Sequence, residues 1–177
     1  MGKQFKELRD SDIEFIKKQK LFFIASSSNA EVNLSPKGYD CFRVLNKNEV
    51  LYLDYPGSGN RLARDITNSG KVTIMFTAFE GSPMICRLFA KEFDLIEKDN
   101  EQFDEYFKLF DNTRKESFRR IVKFKIYAVE NSCGMSVPLF EYKEEREGLR
   151  DYFEKRTPEK VSEYIKSKEV PIDLDSL

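Results

Sequence analysis

Tyr52-Leu53-Asp54-Tyr55-Pro56-Gly57-Ser58-Gly59-Asn60-Arg61 reads as a β-strand that runs through a loop of small residues into a helix. Pro56 and the two glycines end the strand. Asn60 then stands where a helix cap belongs, with Leu62 and Ile66 turned inward and Gly70 at the far end. Gly57, Ser58 and Gly59 let a ligand come close to the backbone, and glycine adopts positive φ without steric cost. The first turn of a helix has free N–H groups and partial positive charge, which together accommodate a phosphate. Arg61 and Arg64 oppose the dipole there unless an anion offsets them. An ordinary capped strand-to-helix turn would use the same residues. No Gly-Lys-Ser/Thr follows and the dinucleotide glycine pattern is missing, so neither a Walker loop nor a Rossmann turn is indicated.

Working outward, Ser35-Pro36-Lys37-Gly38 is a second polar turn that offers a hydroxyl, a cation and backbone N–H groups. Pro36 keeps Ser35 extended and the turn stiff. Upstream, Ser11 and Glu14 at capping-box spacing open a helix that ends near Gln19. Strands are expected over residues 21–25, 31–34, 41–45, 50–54, 71–78, 84–96 and 121–129, the sixth long enough to bend partway. Helices are expected over 61–68, 101–110, 143–156 and 158–168. Phe103, Tyr106, Phe107 and Phe110 recur at helical spacing and are read as core. Antiparallel hairpins with inserted and appended helices indicate an α+β domain built on a closed or partly closed barrel.

The 177 residues suit one domain spanning 1–177, with a barrel core over about 20–131 and a helical C-terminal extension over about 143–170. With 16 Phe among them, a sizeable core is assured. Thirty basic side chains nearly cancel 31 acidic ones, so nothing draws the chain to nucleic acid or to an anionic membrane surface. Cys41, Cys86 and Cys133 lack the pairing of a disulfide framework or a zinc site, and no metal is expected. The N-terminal residues lack the apolar core of a signal peptide, and no apolar run is long enough to span a bilayer. A cytoplasmic location is the expectation. There is no histidine, so any chemistry points to a bound cofactor.

Five blocks in order are similar to the pyridoxamine 5'-phosphate oxidase-like family of flavin-binding split barrels. They are Val32-Asn-Leu-Ser-Pro-Lys-Gly38, Leu53-Asp-Tyr-Pro-Gly-Ser-Gly-Asn60, Val72-Thr-Ile-Met-Phe-Thr-Ala-Phe-Glu-Gly81, Arg87-Leu-Phe89 and Cys133-Gly-Met-Ser-Val-Pro-Leu-Phe-Glu-Tyr142. The resemblance covers roughly residues 20 to 142. It implies a six-stranded antiparallel split β-barrel with flanking helices, a homodimer with FMN at the interface, and a small-molecule substrate. Carried over, Ser58, Gly59, Asn60 and Arg61 would hold the FMN phosphate. Ser35, Lys37 and Gly38 would lie along the ring and ribityl chain, with Leu53 and Asp54 beside them, and Lys37 would favour the reduced flavin's negative charge. Arg87 is a further candidate contact, or else a strand cation paired with a carboxylate. The family's oxidases carry Ser-Arg-Lys at the phosphate and a basic C-terminal segment, where this chain reads Ser58-Gly-Asn-Arg61 and ends in acidic residues. The expected function is an FMN-binding oxidoreductase that passes hydride or electrons to a small substrate. The alternative is a non-catalytic flavin-binding or flavin-sensing module, and a flavin-free barrel with haem or another ligand is a third reading.

Overall fold

Residues 122–127 alternate, with Val122, Phe124 and Ile126 buried while Lys123, Lys125 and Tyr127 face outward, as a strand with one covered face must. The computed structural model describes residues 2–28, 31–57, 59–111, 114–172 and 174. In chain order it comprises β1 (Lys3–Phe5), α1 (Asp10–Lys18), β2 (Phe22–Ser27), β3 (Asn33–Lys37), β4 (Phe42–Val44) and β5 (Glu49–Asp54). There follow α2 (Arg61–Thr67), β6 (Lys71–Thr77), β7 (Ile85–Glu97), α3 (Glu101–Phe107), a 3₁₀ turn at Lys115–Ser117, β8 (Arg120–Ser132), α4 (Gly148–Glu154) and α5 (Pro158–Ser167).

All pairings are antiparallel, in the order β3-β2-β6-β7-β8-β5-β4, and β1 joins β8. The sheet curls into the expected α+β split barrel. Among the described residues it has eight strands, not six. One addition is β1, from residues that carry too little apolar pattern to announce a strand. It forms because Lys3, Gln4 and Phe5 find a free edge opposite Asn131, Glu130 and Val129.

The longest pair, β7 with β8, bends as expected. Its register shifts at Phe89/Ala90 and at Ala90/Glu92, which leaves Tyr127 and Lys91 without direct partners in the ladder. Paired irregularities of this kind increase the local twist and turn the sheet. The Lys91 ammonium lies 5.3 Å from the Tyr127 ring centre, so the two residues displaced from the ladder pack on each other. Inside the curl, Phe22, Phe42 and Phe76 meet at centroid distances of 5.0–5.2 Å. Phe124, fully buried, stands edge-on to Phe93.

Several boundaries differ from the sequence reading. The first helix starts at Asp10, because the Asp12 carboxylate accepts from the Arg9 backbone N–H at 2.9 Å and from its guanidinium; Ser11 and Glu14 do not form the cap. Ser35, Pro36 and Lys37 belong to β3 and not to a turn. Proline is tolerated there because β3 is an edge strand, bonded only to β2. The true turn falls at Tyr39 and Asp40, both at positive φ (65° and 50°). The helix expected over 143–156 forms only from Gly148. Before it, Phe140 N–H bonds to Phe79 O and Tyr142 N–H to Glu80, which keeps the chain extended. The Tyr39 hydroxyl then donates to the Arg146 carbonyl, an acceptor that an earlier helix would have needed.

Replacing Phe124 with Ala empties the centre of this packing. Urea denaturation should show a loss of about 3–5 kcal/mol.

Candidate functional site

The strand-to-helix loop after β5 faces the β2–β3 hairpin across a cavity of about 170 Å³. Ile24, Asn33, Ser35 and Lys37 line one wall, and Asp54, Tyr55, Gly57, Gly59, Asn60, Arg61 and Leu62 line the other, with Arg119 beside them. Six of the residues singled out in the sequence thus meet here: Ser35, Lys37, Asp54, Gly59, Asn60 and Arg61. Ser58 lies outside the described residues. Leu53 is fully buried in the core, facing away from Asp54 by strand alternation. Gly38 lines a separate cavity of about 310 Å³ with Lys20, Cys41 and Phe42. Arg87 lines neither; it is held by Glu130 at 3.3 Å and by Ser132 Oγ at 2.9 Å. A broader groove of about 850 Å³ between α1, residues 78–82 and residues 140–143 carries none of these residues.

Asp54 ends β5 pointing into the first cavity. The Tyr52 hydroxyl, two residues earlier on the same face, donates to its Oδ1 at 3.2 Å. The Lys37 ammonium sits 5.4 Å from the Tyr52 ring centre. Burial pushes the Asp54 carboxyl up, against the downward pull of Arg119, Lys37 and Arg120. Burial also holds the Tyr52 phenol well above its ordinary value, helped by the Asp54 charge. Tyr55, lining the cavity, bonds to Arg150, and burial raises its hydroxyl as well.

Arg119 is the residue that the sequence did not reveal. Its side chain is buried, and its two terminal nitrogens donate to Gly59 O at 2.7 Å and Gly57 O at 2.9 Å. Its backbone N–H donates to Asp54 O at 2.9 Å. Its Nε has no hydrogen-bond partner among the described residues. The only signal in the sequence was a pair of arginines opening an apolar strand, which is indistinguishable from a solvated strand end.

The glycine loop works differently from the expectation. Gly57 does not have positive φ. What Gly57 supplies is space, since a Cβ there would meet nothing within 4 Å. Asn60 precedes α2 but does not cap it with its side chain; its amide donates to the Glu169 carbonyl at 3.0 Å, which brings the C-terminal extension to the cavity rim. The two first-turn arginines have their anions within the chain. Arg61 Nε and Arg64 donate to Glu31 Oε1 at 2.7 and 2.9 Å, and Arg64 also bonds Asp65.

No family model matches the chain. Over 141 residues it is 31% identical to the pyridoxamine 5'-phosphate oxidase family protein ustO of Aspergillus flavus, a match that covers 77% of this chain and 56% of that protein. By this match the chain is similar in sequence to the pyridoxamine 5'-phosphate oxidase family. It thus spans little more than half the length of its curated relative. A structure from Lactobacillus delbrueckii, provisionally described as a pyridoxamine 5'-phosphate oxidase, superimposes with a TM-score of 0.54 at 18% identity, over 71% of this chain and 94% of that one. A HupZ variant from Group A Streptococcus gives 0.55 at 12% identity, over 70% and 98%. At these identities the likeness carries the split-barrel fold of the family.

The arginine pair holds the Glu31 carboxyl down at about 2, chiefly through the hydrogen bonds from Arg61 and Arg64. A carboxyl lowered in the folded state stabilises above its unfolded value of 4.5 and ceases to do so as pH falls toward 2. Wild type and Glu31→Gln should therefore differ most in denaturation above about pH 4.5 and converge near pH 2.

Proposed function

We propose that the chain binds FMN and serves as an oxidoreductase, passing hydride or electrons between a reduced donor and a small acceptor. One observation carries this reading. Lys37, Arg61 and Arg119 converge with a single carboxylate, Asp54, on a cavity beside a glycine loop that leaves room for an anion. With Arg61 held by Glu31, the cations of Lys37 and Arg119 face the single carboxylate Asp54, a balance that suits an anion such as a phosphate. Gly59, Asn60 and Arg61 would hold the phosphate. Ser35, Lys37 and Asp54 would flank the rest of the cofactor. When bound, the flavin supplies the redox chemistry. The chain's residues bind and orient it and set the local charge.

At about 170 Å³ the cavity falls below the roughly 300–1,000 Å³ of pockets that enclose a whole ligand. Part of the cofactor would then lie outside this wall, which supports a homodimer with FMN between the copies. Leu34 and Val32, exposed on and beside β3, flank the cavity-lining Asn33 and give a second copy apolar surface to cover. Among the described residues no helix is long and apolar enough to cross a membrane. Three unpaired cysteines suit a reducing, cytoplasmic setting.

The absence of histidine favours a second reading, a flavin-binding module without turnover. Of the cavity's hydroxyls and carboxyls, Tyr55 and Asp54 would have to carry protons if turnover occurs.

Denaturing the purified protein should release a compound with the mass and absorbance of FMN. No flavin, together with no uptake of added FMN, overturns the reading. Turnover of reduced nicotinamide donors with electron acceptors separates enzyme from module. Lys37→Met should lower the reduction potential of the bound flavin, because a cation favours the added negative charge; an unchanged potential removes Lys37 from that role.

A further inference from the structure

We infer that Glu31 is a positioning residue of the anion subsite, holding Arg61 for the phosphate through a network anchored on Asp65. The inference rests on the FMN reading above.

A single carboxylate oxygen, Glu31 Oε1, accepts from Arg61 Nε at 2.7 Å and from the Arg64 terminal nitrogen at 2.9 Å. Holding Arg61 by Nε leaves its terminal nitrogens to the loop side. One of them lies 3.0 Å from the point where a Cβ on Gly59 would stand. Arg61 and Gly59 both line the cavity. A long, flexible cation that is already bonded on its inner edge loses less freedom when an anion arrives at its outer edge.

The other end of the network is fixed deep in the fold. Arg64 Nε and its second terminal nitrogen bond Asp65 Oδ1 at 3.0 and 2.9 Å. Asp65 is fully buried and also accepts from Ser26 Oγ at 2.7 Å and Ser28 Oγ at 3.2 Å. Ser26 Oγ accepts from the Asn33 amide at 3.0 Å, and Ser35 Oγ donates to Asn33 Oδ1 at 3.2 Å. Asn33 and Ser35 line the opposite wall of the same cavity. The bonds therefore form a continuous path from one wall to the other. Glu31 is the link at which that path reaches the phosphate-side arginine.

A carboxylate on an arginine can also compete with the incoming anion. Among the described residues Arg61 is bonded through Nε alone, which argues for support, and the two roles predict opposite results. The test measures dissociation constants for FMN and for riboflavin, which lacks the phosphate, by quenching of flavin fluorescence. Glu31→Ala should weaken FMN about tenfold, the scale of one charge-assisted hydrogen bond, and leave riboflavin within about twofold. Glu31→Gln keeps an acceptor oxygen and should retain FMN affinity. Equal loss for both ligands marks a merely structural role and overturns the inference, as does no change or tighter FMN binding in Glu31→Ala. If wild type takes up no flavin, the FMN reading fails separately. Thermal stabilisation by inorganic phosphate then decides: protection of wild type that is lost in Glu31→Ala upholds the positioning role. Equal protection, or none, sinks it.

Discussion

Two strands of 13 residues each, 85–97 and 120–132, pair along their whole length, and a twisted pair that long must bend to stay in contact with a single core. The place where they bend decides what can join them. Before the irregularity at Lys91 and Tyr127, β6 pairs with β7 from Ile85 to Ala90; beyond it, β5 pairs with β8 from Arg120 to Lys125. Around residue 126 the outer edge of β8 passes from β5 to β1, and Asn48 fills the junction by bonding both the N–H and the carbonyl of Ile126. The sheet is thus split into two halves that share one spine. The loop after β5 and the hairpin β2–β3 come from different halves, and the curl sets them face to face.

That geometry explains the charge of the cavity. Tyr52 and Asp54 are carried by the end of β5, and Arg119 directly precedes β8 with its backbone N–H on the Asp54 carbonyl, so the three side chains have little freedom to reach water. Their burial is imposed by the sheet, and each pairs with what is near: Tyr52 with Asp54, and Arg119 with the carbonyls of Gly57 and Gly59. A buried guanidinium spends its donors on the loop it must hold.

Much of this was legible in the sequence, and the reasons for success and failure differ by element. The strands at 50–54, 71–78, 84–96 and 121–129 announced themselves by apolar runs bounded by turn residues, because period-two burial leaves that trace. The bend in residues 84–96 was legible from length alone. Three-residue β1 was not, since its place depends on an edge left free by strands more than a hundred positions away. In the site, Lys37 and Arg61 stood out as cations beside glycine-bearing stretches, and Asp54 entered only through the family resemblance. Arg119 and Glu31 did not stand out, because a charged residue that will be paired in the fold looks the same in sequence as one that will be solvated. The two first-turn arginines pointed to a bound anion, whereas Glu31 and Asp65 offset them from within the chain.

The C-terminal extension is fastened in an unusual currency. Arg114 donates to the carbonyls of Phe153, Glu154 and Arg156, Asn60 to that of Glu169, and Tyr39 to that of Arg146. In each case the barrel contributes the side chain and the extension contributes only main chain. Side chains of the extension add to that hold, since Phe153 and Val161 are buried and Arg150 bonds Tyr55. Mutational drift at its exposed positions can therefore alter its surface, and with it whatever meets the cavity rim, without loosening its hold on the barrel.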